Sequence, residues 1–252
     1  MAADDALREE VAWACRILGM AGHGDYTLGH VSARSADGEK VLIKPNGLGL
    51  EEVAPGDVLT LDMDGSRLAG TGRIHLETVL HTAVYRARPD VGAVVHTHPP
   101  YTTAFGATNA ELALLNHDAV LFREGLATFD DTASLIISAD EGAAVARALG
   151  DKRVVVMRGH GVLVVGATVK WAVYAALTLE RVLRIQAIAG SLGELRPMSA
   201  EMADRVYPDK YRDDHLENYW GYLVRQVRRA GLADGMPPAT GNSQEAAHAR
   251  AL

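Results

Sequence analysis

The chain has 252 residues, a formal net charge of −7, and 48% hydrophobic against 23% charged residues, enough for one sizeable core. The acidic balance argues against a general nucleic-acid or anionic-membrane surface, while anionic small molecules stay open to capture by a metal or a local Arg. The single cysteine, Cys15, excludes an internal disulfide and a cysteine-rich zinc site, so any metal must be held by His, Asp or Glu.

The N-terminal MAADDALREE is acidic and lacks an apolar signal core, and no apolar run reaches membrane-spanning length. A soluble, cytoplasmic protein is expected. Asp4 or Asp5 can cap a helix running to about Gly22, with Leu7, Val11, Ala14, Leu18 and Ala21 at helical spacing. Gly22-His23-Gly24 ends it. Thr27 to Arg34 and Val41 to Lys44 form strands of a hairpin turned at Asp37-Gly38, and Val58 to Met63 repeats the pattern before Asp64-Gly65. Ile74 to Arg88 is a helix halted by Pro89, followed by a strand from Val91 to His98. A short helix is expected after Tyr101, then an irregular region to Phe129. Ser138 with Glu141 makes a capping box before a helix ending near Gly150. Arg153 to Val165 holds two strands around a Gly-His-Gly interruption. Val169 to Leu192 is a long helix, and Asp213 to Ala230 is an amphipathic one. The pattern implies a single α/β domain over 1–234, layered on a substantially antiparallel sheet, and a mobile tail over 235–252.

The chemistry concentrates in a few histidines. In VGAVVHTHPPY, Val91–Tyr101, an apolar run ends in His96-Thr97-His98 and is stopped by Pro99-Pro100. Side chains alternate along a strand, so His96 and His98 point the same way at its exit. Two imidazoles so placed start a metal site, because neutral imidazole suits zinc, iron and related ions. Two ordinary histidines near a loop are the alternative. His160 lies between Gly159 and Gly161, which let the backbone bend. It is either a turn residue or a third ligand, and three histidines with an open position are the pattern of a catalytic site. Glu77 and His81, one turn apart on the 74–88 helix, share a face, which makes Glu77 a fourth ligand or a general base. His75 and His81 are otherwise packing or surface residues.

These residues resemble the class II aldolase/adducin family over roughly residues 5–195. The likeness rests on Glu77, on His96-Thr97-His98-Pro99, on Arg158-Gly159-His160-Gly161, and on Gly29-His30-Val31-Ser32-Ala33-Arg34 beside the family's GNxSxR strand. It implies a three-layer α/β fold with a central, largely antiparallel sheet flanked by helices. It further implies a divalent metal held by His96, His98 and His160, most often Zn(II), with Mn(II) or Fe(II) as alternatives. Glu77 would move the proton. Fourfold-symmetric homotetramers with sites near subunit boundaries are common in the family, so a neighbouring subunit or Tyr207, Tyr211 or Tyr219 would complete the pocket.

The departures bear on the substrate. Where phosphosugar members have a TPSG-like loop, this chain has Lys44-Pro45-Asn46-Gly47. His75-Leu76 stands in place of Ser-Ser, and His30 in place of the Asn of the GN pair. Small hydroxyls suit a phosphate, and their loss points to a small carboxylated, non-phosphorylated substrate. His30, Lys44, Asn46, Gly47, Arg73 and His75 are the candidates to recognise it. The resemblance therefore implies a metal-dependent carbon–carbon lyase, a decarboxylase or an aldolase, acting on a hydroxy, keto or aromatic acid. An Fe(II)-dependent oxygenase on an arylpyruvate-like acid and a non-catalytic adducin-like interaction domain are the competing expectations. Epimerisation is disfavoured, because such relatives generally carry Asp at the position of Glu77.

Overall fold

Period-two patterning builds the centre of the molecule. The computed structural model describes residues 2–238 and places eight strands in one sheet: β1 (His30–Arg34), β2 (Lys40–Ile43), β3 (Leu59–Asp62), β4 (Arg67–Ala69), β5 (Ala93–Thr97), β6 (Ala127–Phe129), β7 (Val154–Met157) and β8 (Val162–Gly166). Their order is β4-β3-β2-β1-β5-β8-β7-β6. Every pairing is antiparallel except the parallel β6–β7 edge.

Helices cover both faces, so the strands are apolar on both sides. Val31, Ala33, Val95, Val154, Val156, Val162 and Val164 pack beneath α1 (Ala2–Leu18) and α5 (Val169–Leu192). The alternate residues Val41, Ile43, Val94, Val155, Leu163 and Val165 pack against α2 (Thr78–Ala87) and α4 (Ala139–Leu149). The expected three-layer α/β architecture with a largely antiparallel sheet is present. Among the described residues three further α-helices are α3 (Pro100–Gly106), α6 (Ala200–Lys210) and α7 (Asp213–Arg229). Among the described residues no helix is long and apolar enough to cross a membrane.

The alternation also reveals the site. His30 and Ser32 share the α2-facing side of β1, and His96 shares that side of β5 with Val94. His30 is paired with His96 across the two strands. Each apolar side chain fully buried there would contribute about 1.5–3 kcal/mol. Polar groups forfeit that gain and need partners. A buried polar column in the middle of a sheet therefore marks a candidate site.

Several expected boundaries moved. The helix expected over 74–88 begins only at Thr78. Ile74 to Glu77 form a turn in which His75 O accepts hydrogen bonds from the Thr78 N–H and hydroxyl. The strand expected from Thr27 starts at His30, after a turn closed by Leu28 N–H to Asp25 O. The capping box at Ser138 and Glu141 and the 24-residue helix after Thr168 lie where expected. β4, β6 and α6 were not expected. The helical signal of α6 is masked by Pro208 in its last turn. Of the expected tail, residues 239–252 lie outside the described residues.

Candidate metal centre

Two elements deliver three imidazoles. β5 carries His96 and then His98, one residue past the strand end. Pro99 and Pro100 turn the chain straight into α3, whose first turn is pinned by Glu180 of α5. That carboxylate accepts from Tyr101 N (2.9 Å), Thr102 N (2.8 Å) and the Thr102 hydroxyl (2.8 Å). His160 comes from the β7–β8 hairpin, where Gly159 takes a left-handed φ of 68° and Met157 N–H donates to Gly161 O at 2.8 Å.

Gly161 is required by close approach. A Cβ there would lie 2.3 Å from His98 Cδ2 and 2.7 Å from Thr97 O, a ring and a backbone atom that cannot step aside. Gly161→Ala is expected to cost on the order of 1–3 kcal/mol and to displace His98. Thermal melts with and without zinc would show a lowered Tm and a smaller zinc-induced rise than wild type.

The three imidazoles converge: ring centroids of His96 and His98 are 4.8 Å apart, His96 and His160 5.0 Å, His98 and His160 5.4 Å. One nitrogen from each lies within 4.8 Å of the others, a spacing suited to one ion. His96 Nδ1 donates to Val162 O at 3.0 Å, which fixes the tautomer and leaves Nε2 as a lone pair without a protein partner. His98 Nδ1 and both nitrogens of His160 are likewise buried without hydrogen bonds. Buried polar atoms are normally satisfied, and an ion is what this donor set fits.

Glu77 sits at the centre. Its Oε2 is 3.7 Å from His96 Nε2 and 3.9 Å from His30 Nε2, and its Oε1 is 3.5 Å from His160 Nε2. Ile136 N–H donates to Oε1 at 2.9 Å and orients the carboxylate. Glu77 and His81 therefore do not share a helix face: Glu77 precedes the first turn of α2, drawn out by this tertiary bond, while His81 is directed at β1. Burial raises the Glu77 carboxyl above its ordinary range, opposed by the Ile136 N–H.

The imidazoles are held neutral. Burial, then His98 and His160, hold His96 well below its ordinary value, against the Val162 carbonyl. Burial, then His98, lowers His160 to about 4. Burial lowers His98, against Asp25, whose Oδ2 is 3.5 Å from His98 Nδ1. Neutral imidazole is the ligating form.

A cavity of about 770 Å³ opens above these groups. His75, Glu77, His98 and His160 line it with Asp25, Thr103 and Ser134, and Leu28, Pro100 and Leu135 form its apolar wall. Among the substrate candidates, His75 reaches the cavity and His30 lies buried beneath it, ring centroids 4.1 Å apart. Lys44 is fully buried and donates to Thr27 O (3.1 Å) and Pro45 O (3.2 Å). Asn46 and Arg73 are joined by a backbone bridge, and with Gly47 they lie outside the cavity lining.

Tyr207, Tyr211 and Tyr219 are elsewhere. Tyr211 donates to Asp118 O at 2.8 Å, Tyr207 lies under Arg123, and Tyr219 stacks on Tyr174. None lines the cavity. Asp25, Ser134 and the Ile136 N–H were not anticipated, because their loops carry no periodic signal.

A family model, the class II aldolase and adducin N-terminal domain, matches residues 9–187. The chain is 30% identical over 197 residues to a 4-hydroxy-3-prenylphenylpyruvate oxygenase/4-hydroxy-3-prenylbenzoate synthase of Streptomyces roseochromogenus subsp. oscitans, covering 75% of this chain and 70% of that protein. It is 29% identical over 249 residues to a 3,4-dihydroxyphthalate decarboxylase of Arthrobacter keyseri, covering 88% and 94%. An L-fuculose 1-phosphate aldolase structure from Glaciozyma antarctica PI12 superposes with a TM-score of 0.79 at 23% identity over 90% of each chain, a likeness of fold alone. With the family model spanning most of its length, the chain belongs to the class II aldolase and adducin N-terminal domain family.

Proposed function

We propose that the protein is a metal-dependent carbon–carbon lyase, a decarboxylase in the first instance, acting on a small, non-phosphorylated hydroxy, keto or aromatic acid. The observation that carries this reading is the convergence of His96, His98 and His160, their nitrogens unpartnered, around the buried carboxylate of Glu77 on the floor of an open cavity. His96, His98 and His160 would hold the ion, zinc first, with manganese or iron(II) as alternatives. When bound, such an ion supplies Lewis-acid stabilisation of the negative charge that develops as a carbon–carbon bond breaks.

The chain's own residues do the rest. Glu77, with its raised pKa and its orientation set by Ile136, moves the proton. His75 lines the cavity and keeps one buried nitrogen, Nε2, without a partner, which makes it a candidate for a substrate carboxylate or phenolic oxygen. Leu28, Pro100 and Leu135 suit the flat apolar body of an aromatic acid. No Lys or Arg is among the lining residues, and Lys44 is spent on backbone carbonyls, which disfavours a phosphate. Asn46, Gly47 and Arg73 remain candidates for the outer edge of the substrate. Two relatives whose names specify aromatic acids support the same class. Exposed apolar residues at the cavity, Leu28 and Leu135, are in keeping with a homotetramer whose sites lie near subunit boundaries.

The test is an anaerobic screen of zinc- and manganese-loaded protein against hydroxybenzoic, phthalic and keto acids. Metal-dependent release of carbon dioxide is expected, and an aldehyde or pyruvate product would make it an aldolase. The oxygenase-like relative favours a second reading: oxygen consumption by iron-loaded protein, with no anaerobic turnover, would replace the lyase with an oxygenase.

A further inference from the structure

Beneath Glu77 lies a buried polar chain that the proposed reaction does not use. His30 Nδ1 is 2.5 Å from His81 Nε2, His81 Nδ1 is 2.6 Å from Ser32 Oγ, and Ser32 Oγ is 2.7 Å from the Tyr85 hydroxyl. All four residues are at most 1% exposed. At the other end, His30 Nε2 has no hydrogen-bond partner and faces Glu77 Oε2. His30 Nε2, Glu77 and His96 also lie close enough together to hold an ion. Distance alone therefore leaves His30 two roles: a further metal ligand through a lone pair on Nε2, or a donor through an N–H there.

The far end of the chain decides between them. A buried O–H has to donate, and Ser32 Oγ is the partner of the Tyr85 hydroxyl. Ser32 thus accepts from Tyr85, and its own hydrogen goes to His81 Nδ1. His81 then carries its hydrogen on Nε2 and donates it to His30 Nδ1. His30 is left with its hydrogen on Nε2. Reversing any link, or charging His81, strands a hydroxyl hydrogen without an acceptor. We propose that His30 is a positioning residue whose proton is fixed on Nε2 by Tyr85, Ser32 and His81, and that it donates towards Glu77 rather than ligating the metal.

The consequence is a division of labour among four adjacent imidazoles. Val162 O turns a lone pair of His96 to the ion, and the Tyr85–Ser32–His81 chain turns a hydrogen of His30 to the carboxylate. That hydrogen is aimed towards Glu77 Oε2, 3.9 Å away, and it is available to a substrate oxygen that enters between them. What His30 donates to rests on the reading of the site given above; its tautomer does not.

The test is long-range proton–nitrogen correlation NMR of the full-length, zinc-loaded protein labelled with 15N-histidine. Signals are assigned with His30→Asn and His81→Asn. The expected spectrum shows His30 and His81 protonated on Nε2 and His96 protonated on Nδ1. Ser32→Ala is expected to release the constraint and add an Nδ1-protonated form of His30, which a merely space-filling role would not do. Zinc affinity of His30→Asn is expected within about tenfold of wild type, against a loss beyond about 100-fold for His96→Ala. A His30 protonated on Nδ1, or a His30→Asn protein that loses zinc as His96→Ala does, would overturn the proposal. If Ser32→Ala fails to fold, the wild-type spectrum still decides. A wild-type protein that binds no zinc would sink the lyase reading, while the tautomer of His30 would still be read from the zinc-free spectrum.

Discussion

His96→Ala is expected to lower zinc affinity more than about 100-fold, because it removes a direct ligand where loss of a supporting partner alone costs 10–100-fold. His96 is the best-prepared of the three imidazoles. It is fully buried, its Nδ1–H is committed to Val162 O, and burial keeps it neutral. It therefore needs neither reorientation nor loss of a proton on binding. An ion that binds the folded chain at 100 times its Kd stabilises it by about 2.7 kcal/mol. Zinc should thus raise the Tm of the wild type by several degrees and leave that of His96→Ala unmoved. The zinc-free Tm values separate the two effects of the substitution, since the lost imidazole also leaves a cavity beside Val94 and Leu163. Equal zinc-induced shifts in both proteins would remove His96 from the site.

Glu77→Gln is expected to keep the metal and lose turnover, by about 10²–10⁴-fold for a general acid–base group. The amide retains an oxygen for the Ile136 N–H, so the side chain should stay anchored. What disappears is the capacity to take and return a proton, together with the carboxylate oxygen that faces His30 Nε2. The loss should fall on kcat, with zinc content unchanged. Parallel loss of zinc would make Glu77 a ligand in the resting site, and unchanged kcat would assign the proton to another group. The comparison is cleanest with whichever acid the anaerobic screen identifies.

How legible this site was in the chain depends on the kind of physical constraint involved. His96 and His98 were readable because strand periodicity is local, and the two prolines after them mark where the strand must stop. His160 was readable from its flanking glycines, and the structure gives the reason for one of them: Gly161 leaves the space that His98 occupies. The helix after Ser138 and the long helix after Thr168 were readable because caps are local chemistry. Periodicity puts Glu77 on the helix, whereas the structure leaves it just before α2, because the bond that draws it out comes from Ile136, fifty-nine residues away. Lys44 reads as a substrate cation in isolation, but the loop it belongs to turns its ammonium onto carbonyls. The Tyr85–Ser32–His81–His30 chain was half visible: His81 and Tyr85 are four apart on a helix, His30 and Ser32 two apart on a strand. That α2 lies across β1 is a tertiary fact, and no spacing rule reports it.

Every role proposed for this site depends on three histidines of one chain holding a divalent ion beside Glu77. X-ray absorption at the zinc edge of the purified, zinc-equilibrated protein tests it most directly. About one zinc per chain is expected, with three imidazole nitrogens at about 2.0–2.1 Å and the remaining ligation by oxygen. A protein that retains no zinc, manganese or iron after equilibration, or zinc bound without three imidazoles, would contradict it.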